Sequence, residues 1–172
     1  NNGILNTNLN ADMLDGYHAS SFRRNHTITY LSKSGHNSQA IISNSKLYTT
    51  SGNNANYWAW TTGRHSNSPT HYGVDSFKIV QLPQDSPIKK VGGFVSPYAF
   101  VLLEDGRLYT WGYNSAGQCG LGHTNTVAIP TLAATNVIDA YSHPSQGEYG
   151  VNDSRLFILK SDGLYAAGYN AG

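Results

Sequence analysis

Charge is scarce in this 172-residue chain: Lys, Arg, Asp and Glu make up 12% of it, about half the usual share of about 25%. The net charge is +1, and no basic run exceeds the pairs Arg23-Arg24 and Lys89-Lys90. Phosphate-driven binding needs a basic stripe, so a nucleic-acid partner is disfavoured. A single cysteine, Cys119, excludes an intrachain disulfide framework and any CxxC site. No apolar run approaches the roughly 20 residues that span a bilayer, and no signal peptide is visible, so membrane insertion is not expected. The chain also lacks a nucleophile elbow, a P-loop and HExxH. No enzyme, cofactor or metal is therefore expected. What replaces charge is Asn, Ser, Thr, Tyr and Gly, a surface that is polar without being ionic. Such surfaces are associated with extracellular, virion and carbohydrate-handling proteins. With 39% apolar residues, the chain can build one or two small domains around a moderate core.

The most informative stretch is Phe100 to Gly122, FVLLEDGRLYTWGYNSAGQCGLG. Two apolar runs, 100–103 and 108–111, flank Glu104-Asp105-Gly106-Arg107. Asp-Gly between β-formers is a strong hairpin signal. Gly112, Gly117, Gly120 and Gly122 follow at spacings no helix tolerates, since each interior Gly costs roughly 1 kcal/mol. A strand pair and a turning loop are expected. Partial copies lie on both sides. Downstream, Leu156 to Leu159 leads through Asp162-Gly163 to Leu164-Tyr165 and Gly168; upstream, Ala40-Ile41-Ile42 leads through Asn44-Ser45 to Leu47-Tyr48. A self-similar period of about 60 residues implies stacked units, none able to bury its apolar face alone.

These residues resemble a known repeat. Val91-Gly92-Gly93, Ala99 to Leu102, Asp105-Gly106, Tyr109-Thr110-Trp111-Gly112, Asn114 and Gly117 to Gly122 look like a repeat of the regulator of chromosome condensation (RCC1) type. Pro130 stands where that family opens its next unit. The third copy has Ala167 where the family's Trp would be, and Cys119 takes a position where Leu is common, which implies a small buried apolar role. The resemblance implies an all-β fold of RCC1-like β-propeller blades, an incomplete set of about three, over 40–87, 88–136 and 137–172. Its scaffold residues would be Gly106, Tyr109, Trp111, Gly112, Asn114, Gly117, Gly120, Gly163, Tyr165 and Gly168. The family's propeller has seven blades, and three cannot close one. Beginning at Asn1 and stopping inside a motif, the chain reads as a fragment or as blades completed by other copies.

A different module opens the chain. Leu9 to Phe22, LNADMLDGYHASSF, is too short to bury its own apolar residues. Asp12, Asp15 and His18 would gather only on a helix, which Gly16 interrupts, and no second ligand group follows. The string resembles a motif of bacteriophage tail fibres, LxADxLDGxxASxF, found in trimeric shafts. The resemblance implies a stem over 1–35, with Leu9, Ala11, Asp12, Leu14, Asp15, Gly16 and Phe22 at the trimer contact and the RCC1-like domain over 36–172. The boundary is expected at about 32–38.

Between the repeats lie two long polar segments. Residues 53–76 hold Tyr57, Trp58, Trp60, Arg64, His65, His71, Tyr72 and Asp75; residues 142–152 hold His143, Gln146, Glu148 and Tyr149. Loops on a rigid scaffold commonly carry function, and aromatic faces beside polar groups suit sugar rings. Tyr57, Trp58, Trp60, Arg64, His65, His71, Tyr72 and Tyr149 are therefore the expected receptor contacts, although Trp58 and Trp60 alternate as blade-core residues would. Lys78 to Pro83 is expected as a short strand, and Val127 to Ile138 as the connection between blades. The combined expectation is a virion adhesin: a homotrimeric tail-fibre segment, joined to other phage tail proteins, that presents loops to a bacterial surface receptor such as polysaccharide. An RCC1-like regulatory interaction module and a capsule depolymerase are the alternatives.

Overall fold

The hairpins of the sequence become three antiparallel sheets. The computed structural model describes residues 13–14, 17–18, 28–33, 39–51, 74–93, 98–143 and 154–169. Among them there is no helix. A two-strand ladder comes first, β1 (Met13–Leu14) and β2 (Tyr17–His18). Sheet one contains β3 (Ile28–Lys33), β4 (Gln39–Ser43), β5 (Lys46–Ser51) and β6 (Val74–Ile79). Sheet two contains β7 (Ile88–Gly92), β8 (Tyr98–Leu103), β9 (Leu108–Gly112) and β10 (Val127–Ala134). Sheet three has β11 (Val137–His143), β12 (Arg155–Lys160) and β13 (Gly163–Gly168). Within every sheet, neighbours in space are neighbours in sequence, so each sheet is a simple meander.

The same hairpin position is turned in two ways. Between β4 and β5, Asn44 and Ser45 adopt φ of 50° and 59° and Ser43 pairs with Lys46. Two consecutive positive φ values define a type I′ turn, whose twist matches the strands. Between β8 and β9 the Gly106 N–H donates to Leu103 O at 3.0 Å and the Leu103 N–H to Arg107 O at 2.9 Å. Glu104 and Asp105 keep negative φ, and Gly106 takes +84°. That is a type I turn closed by a glycine bulge. Gly106 is also where the hairpin meets the next sheet. Its carbonyl accepts from Val137 N at 2.9 Å, and a Cβ there would lie 3.2 Å from both Val137 N and Val137 O.

The structure corrects several expected limits. Val127–Ala134, expected within a connection, is the outer strand of sheet two and pairs with β9. Pro130 sits in it, where the register shifts between Val127 and Thr131. Proline has no N–H to give a ladder, so an edge strand with a bulge is where it fits. β6 begins at Val74 rather than Lys78, so residues 74–76 belong to a strand and not to the expected loop. β3 pairs with β4 from Ile28↔Ser43 to Lys33↔Gln39. The expected division at 35/36 thus falls between two strands of one sheet. In the opening motif, Leu14 pairs with Tyr17 and Met13 with His18. Leu9, Ala11, Asp12, Asp15, Gly16 and Phe22 lie outside the described residues.

One apolar cluster runs through all three sheets, from Ala40, Ile42 and Leu47 through Phe100, Leu102 and Trp111 to Leu156 and Ile158. Every side chain of β8 is buried, as expected of the central strand of the central sheet, covered on both faces. Trp111, fully buried, pairs across the ladder with Ala99. In sheet three Ala167 pairs with Leu156. The large and small partners are exchanged, so the same space is filled without the Trp.

Candidate interaction surface

The loop after β9 is built around one amide. Asn114, fully buried, accepts from Cys119 N at 2.8 Å through Oδ1. Its Nδ2 donates to His123 O at 2.8 Å and Asn125 O at 3.0 Å. Three strands of loop are thereby tied to one side chain that has both a donor and an acceptor. Turns at Gly117 and Gly120 close the bend, the Gly117 N–H donating to Asn114 O and the Gly120 N–H to Gly117 O, both at 2.9 Å. Thr110 Oγ1 donates to Cys119 O at 2.8 Å, anchoring the loop to β9. Gln118, also buried, accepts from Ala116 N. Burial pushes the Cys119 thiol up to about 12, so it stays protonated and unreactive. The result is a rigid loop whose outer arm, His123 to Thr126, is exposed and polar.

Topology gathers the long connections at one end of each sheet. The short hairpins at 44–45, 104–107 and 161–162 mark one end. The connections after β3, β5, β7, β9 and β11 leave from the other. For sheets two and three these ends coincide. Tyr98, at the start of β8, donates its hydroxyl to Arg155 O, at the start of β12, at 2.9 Å. At the opposite end Val137 meets Gly106. The loop-bearing rim of sheets two and three therefore presents His123 to Thr126, His143 and Tyr169, all exposed. Arg155 Nε donates to Tyr169 O at 2.8 Å across this rim. Sequence reasoning missed His123 to Thr126; the polar run GHTNT after the last motif glycine was the available signal.

Of the expected receptor contacts, Tyr57, Trp58, Trp60, Arg64, His65, His71, Tyr72 and Tyr149 lie outside the described residues, as do Gln146 and Glu148. The strand ends that bracket them, Ser51 and Val74, then His143 and Arg155, stand at the loop-bearing ends of their sheets. The scaffold residues are all described. Trp111, Gly112, Asn114 and Gly106 are buried and Tyr109 half-buried, whereas Tyr165 is exposed and donates its hydroxyl to Asp162 Oδ2 at 3.0 Å.

The opposite end holds an ion-pair cluster. Arg107 donates to Asp105 Oδ2 at 2.7 Å and to Asp85 Oδ1 at 2.6 Å. The guanidinium beside them holds both carboxyls below their ordinary 3.8. Carboxylates so paired are poor general acids or bases at neutral pH. Burial raises the Tyr98 hydroxyl far above its ordinary 10; its role is the bond to Arg155. No three His, Cys, Asp or Glu side chains gather as metal ligands among the described residues, and no helix there is long and apolar enough to cross a membrane.

Comparison with known proteins agrees with the geometry. Residues 105–141 match the family model described as "Regulator of chromosome condensation (RCC1) repeat". That window runs from the β8–β9 turn through β10 into β11, so the sequence repeat straddles two sheets and includes the Gly106–Val137 contact. Three of the solved structures that resemble this chain illustrate the likeness. Yeast RCC1 (Prp20) bound to Kap60 is 17% identical, with a TM-score of 0.62, over 83% of this chain and 32% of that one. Human WBSCR16 is 20% identical, with a TM-score of 0.59, over 78% and 32%. Prp20p from Saccharomyces cerevisiae, whose binding to Gsp1p and histones is described with its structure, is 16% identical, with a TM-score of 0.61, over 83% and 33%. The chain spans about a third of the length of each. At these identities the likeness is one of fold: antiparallel, all-β sheets of the RCC1 propeller-blade type, with one RCC1 repeat shared between sheets two and three.

Proposed function

We propose that this chain is a non-enzymatic, RCC1-like interaction module. Its blades form a rigid base, and its loop-bearing rim contacts a macromolecular partner. The observation that carries this reading is the Asn114-centred loop, which holds an exposed polar arm on a fully hydrogen-bonded base. A pre-ordered loop loses little entropy on binding. The resemblance to Prp20, seen with Kap60 and described with Gsp1p and histones, supports a protein partner.

A second reading has its own observation, the tail-fibre-like string at 9–22 with its short β ladder. In it the rim belongs to a homotrimeric phage tail fibre, located in the virion and at the host surface, and meets a bacterial receptor such as polysaccharide. Three copies would raise avidity through effective concentration without a tight single site. One parallel binding assay tests both. The immobilised chain is offered histones, a small GTPase, purified capsular polysaccharide and intact bacterial cells. The double variant His123→Ala/Asn125→Ala, on the rim, should lose binding, and Glu104→Ala, at the hairpin end, should keep it. Equal loss in both variants would remove the rim from the account. Release of reducing ends from the polysaccharide would replace the module with a depolymerase.

A further inference from the structure

Sheets two and three meet differently at their two ends. At the hairpin end the contact is direct, backbone to backbone, from Val137 N to Gly106 O. At the rim end polar side chains make it. The Ser142 hydroxyl donates to the Tyr98 oxygen, and the Tyr98 hydroxyl donates to Arg155 O at 2.9 Å. Gln118, buried in the Asn114 loop of sheet two, enters the same seam. A Cβ built on Gly168 would stand 3.3 Å from the Gln118 Cβ and would overlap Ser154 O. Gly168 in turn pairs with Arg155 across the β12–β13 ladder. Ser154 therefore stands where the loop of sheet two, the start of β12 and the end of β13 converge.

Ser154 is fully buried, at 0% exposure. Its Oγ is the one buried side-chain polar atom among the described residues with no hydrogen-bond partner. The buried polar side chains of the adjoining loop, Thr110, Asn114 and Gln118, are all bonded, so the orphan is a local feature of the seam. A hydroxyl has one donor and two acceptor sites, and burying it without a partner forfeits its hydration for nothing in return. The surroundings have capacity to share. Ser154 O accepts from Tyr169 N only at a long 3.4 Å. The Tyr98 oxygen donates once and accepts once, which leaves it a lone pair. An apolar occupant would satisfy none of these oxygens. Water donates twice and accepts twice, the pattern that a hydroxyl, a carbonyl and a phenol oxygen together require.

We propose that Ser154 Oγ binds one internal water molecule at the rim end of the junction between sheets two and three. The junction is then direct where Gly106 meets Val137 and water-bridged beneath Arg155 and Tyr169. This site does not depend on what the loop rim binds.

Oxygen-17 relaxation dispersion of water, recorded on the whole chain, counts long-lived internal waters. It reads the oxygen, so exchange of the serine proton cannot imitate one. The parent chain should hold one more such water than Ser154→Ala. Urea denaturation gives the second reading. A hydroxyl bound to water loses that bond on truncation, so the folded-to-unfolded ratio of Ser154→Ala should fall about fivefold at an unchanged m-value. If Ser154→Ala does not fold, Ser154→Cys, whose thiol is a weak donor, replaces it in both measurements. Equal dispersion in parent and variant overturns the proposal; destabilisation alongside it would place the partner of Ser154 within the protein. A variant as stable as the parent, or more stable, also overturns it, because that is the behaviour of a hydroxyl with no partner at all.

Discussion

Substituting Gly106 by Ala separates the cost of a turn from the cost of a contact. Gly106 has φ +84° and Gly122 has φ +75°. A Cβ in the left-handed region costs about 1–2 kcal/mol at either site. The surroundings differ. Around Gly122 nothing lies within 4 Å of an added Cβ, whereas at Gly106 both Val137 N and Val137 O stand at 3.2 Å and Asn136 Cα at 3.4 Å. Those atoms are backbone and have no rotamer to give. The start of β11 must therefore retreat, stretching the 2.9 Å bond from Val137 N to Gly106 O. Overpacking of this kind costs about 1–3 kcal/mol, and a weakened backbone bond about 1 kcal/mol more. Gly106→Ala should thus destabilise by about 3–6 kcal/mol and Gly122→Ala by about 1–2 kcal/mol. Urea denaturation of both variants, compared at equal m-value, reads the difference. Equal losses would mean that the β8–β9 hairpin does not brace sheet three, and the stacking argument would fail there.

Three further outcomes follow from the same contacts. Asn114→Ala orphans the buried Cys119 N–H and frees two carbonyls, a loss of about 3 kcal/mol, and thiol labelling of Cys119 should accelerate about a hundredfold as the loop opens; unchanged labelling would remove Asn114 from the role of organiser. Tyr98→Phe deletes the bond to Arg155 O and should cost about 1 kcal/mol, with faster amide exchange in β12 and little change in β4; uniform change in both strands would count against a link between sheets two and three. Asp85 and Asp105 are held below 3.8 in the fold by Arg107, so their contribution is present above the unfolded carboxylate range and is lost as pH falls through the lowered values. Thermal midpoints between about pH 5 and pH 2 should fall less steeply in Arg107→Gln than in the parent, and parallel curves would show that the cluster adds nothing.

Short-range patterns in the sequence translated well where the chemistry was local. Asp-Gly marked the β8–β9 hairpin because the glycine is needed at positive φ, and the Leu-Tyr copies marked β5, β9 and β13 because each sets one residue on either face of a sheet. Long-range choices were less legible. Val127 to Ala134 reads as a connection because it spans the interval between repeats, where Pro130 opens the next unit, yet an edge with a bulge accepts proline. The partner of β3 is not legible in the sequence, because β4 lies beyond a glycine and asparagine break and strand pairing across such a break leaves no local mark. On the rim, the polar run His123 to Thr126 follows the last motif glycine, but its tie to Asn114 exists only in the folded loop. Nor does the sequence show how the third copy does without the Trp that Ala167 replaces, since Leu156 lies opposite it only in the folded sheet.

The central claim is that sheets two and three pack face to face through three contacts between them. Nuclear Overhauser effects measured on the labelled chain test it most directly, between Gly106 Hα and the Val137 amide, the Tyr98 ring and Arg155, and Gly120 and the Ala167 methyl. All three should appear together with the cross-strand effects inside each sheet. Intact hairpin effects with none of the three between sheets would leave separate β units and no stack.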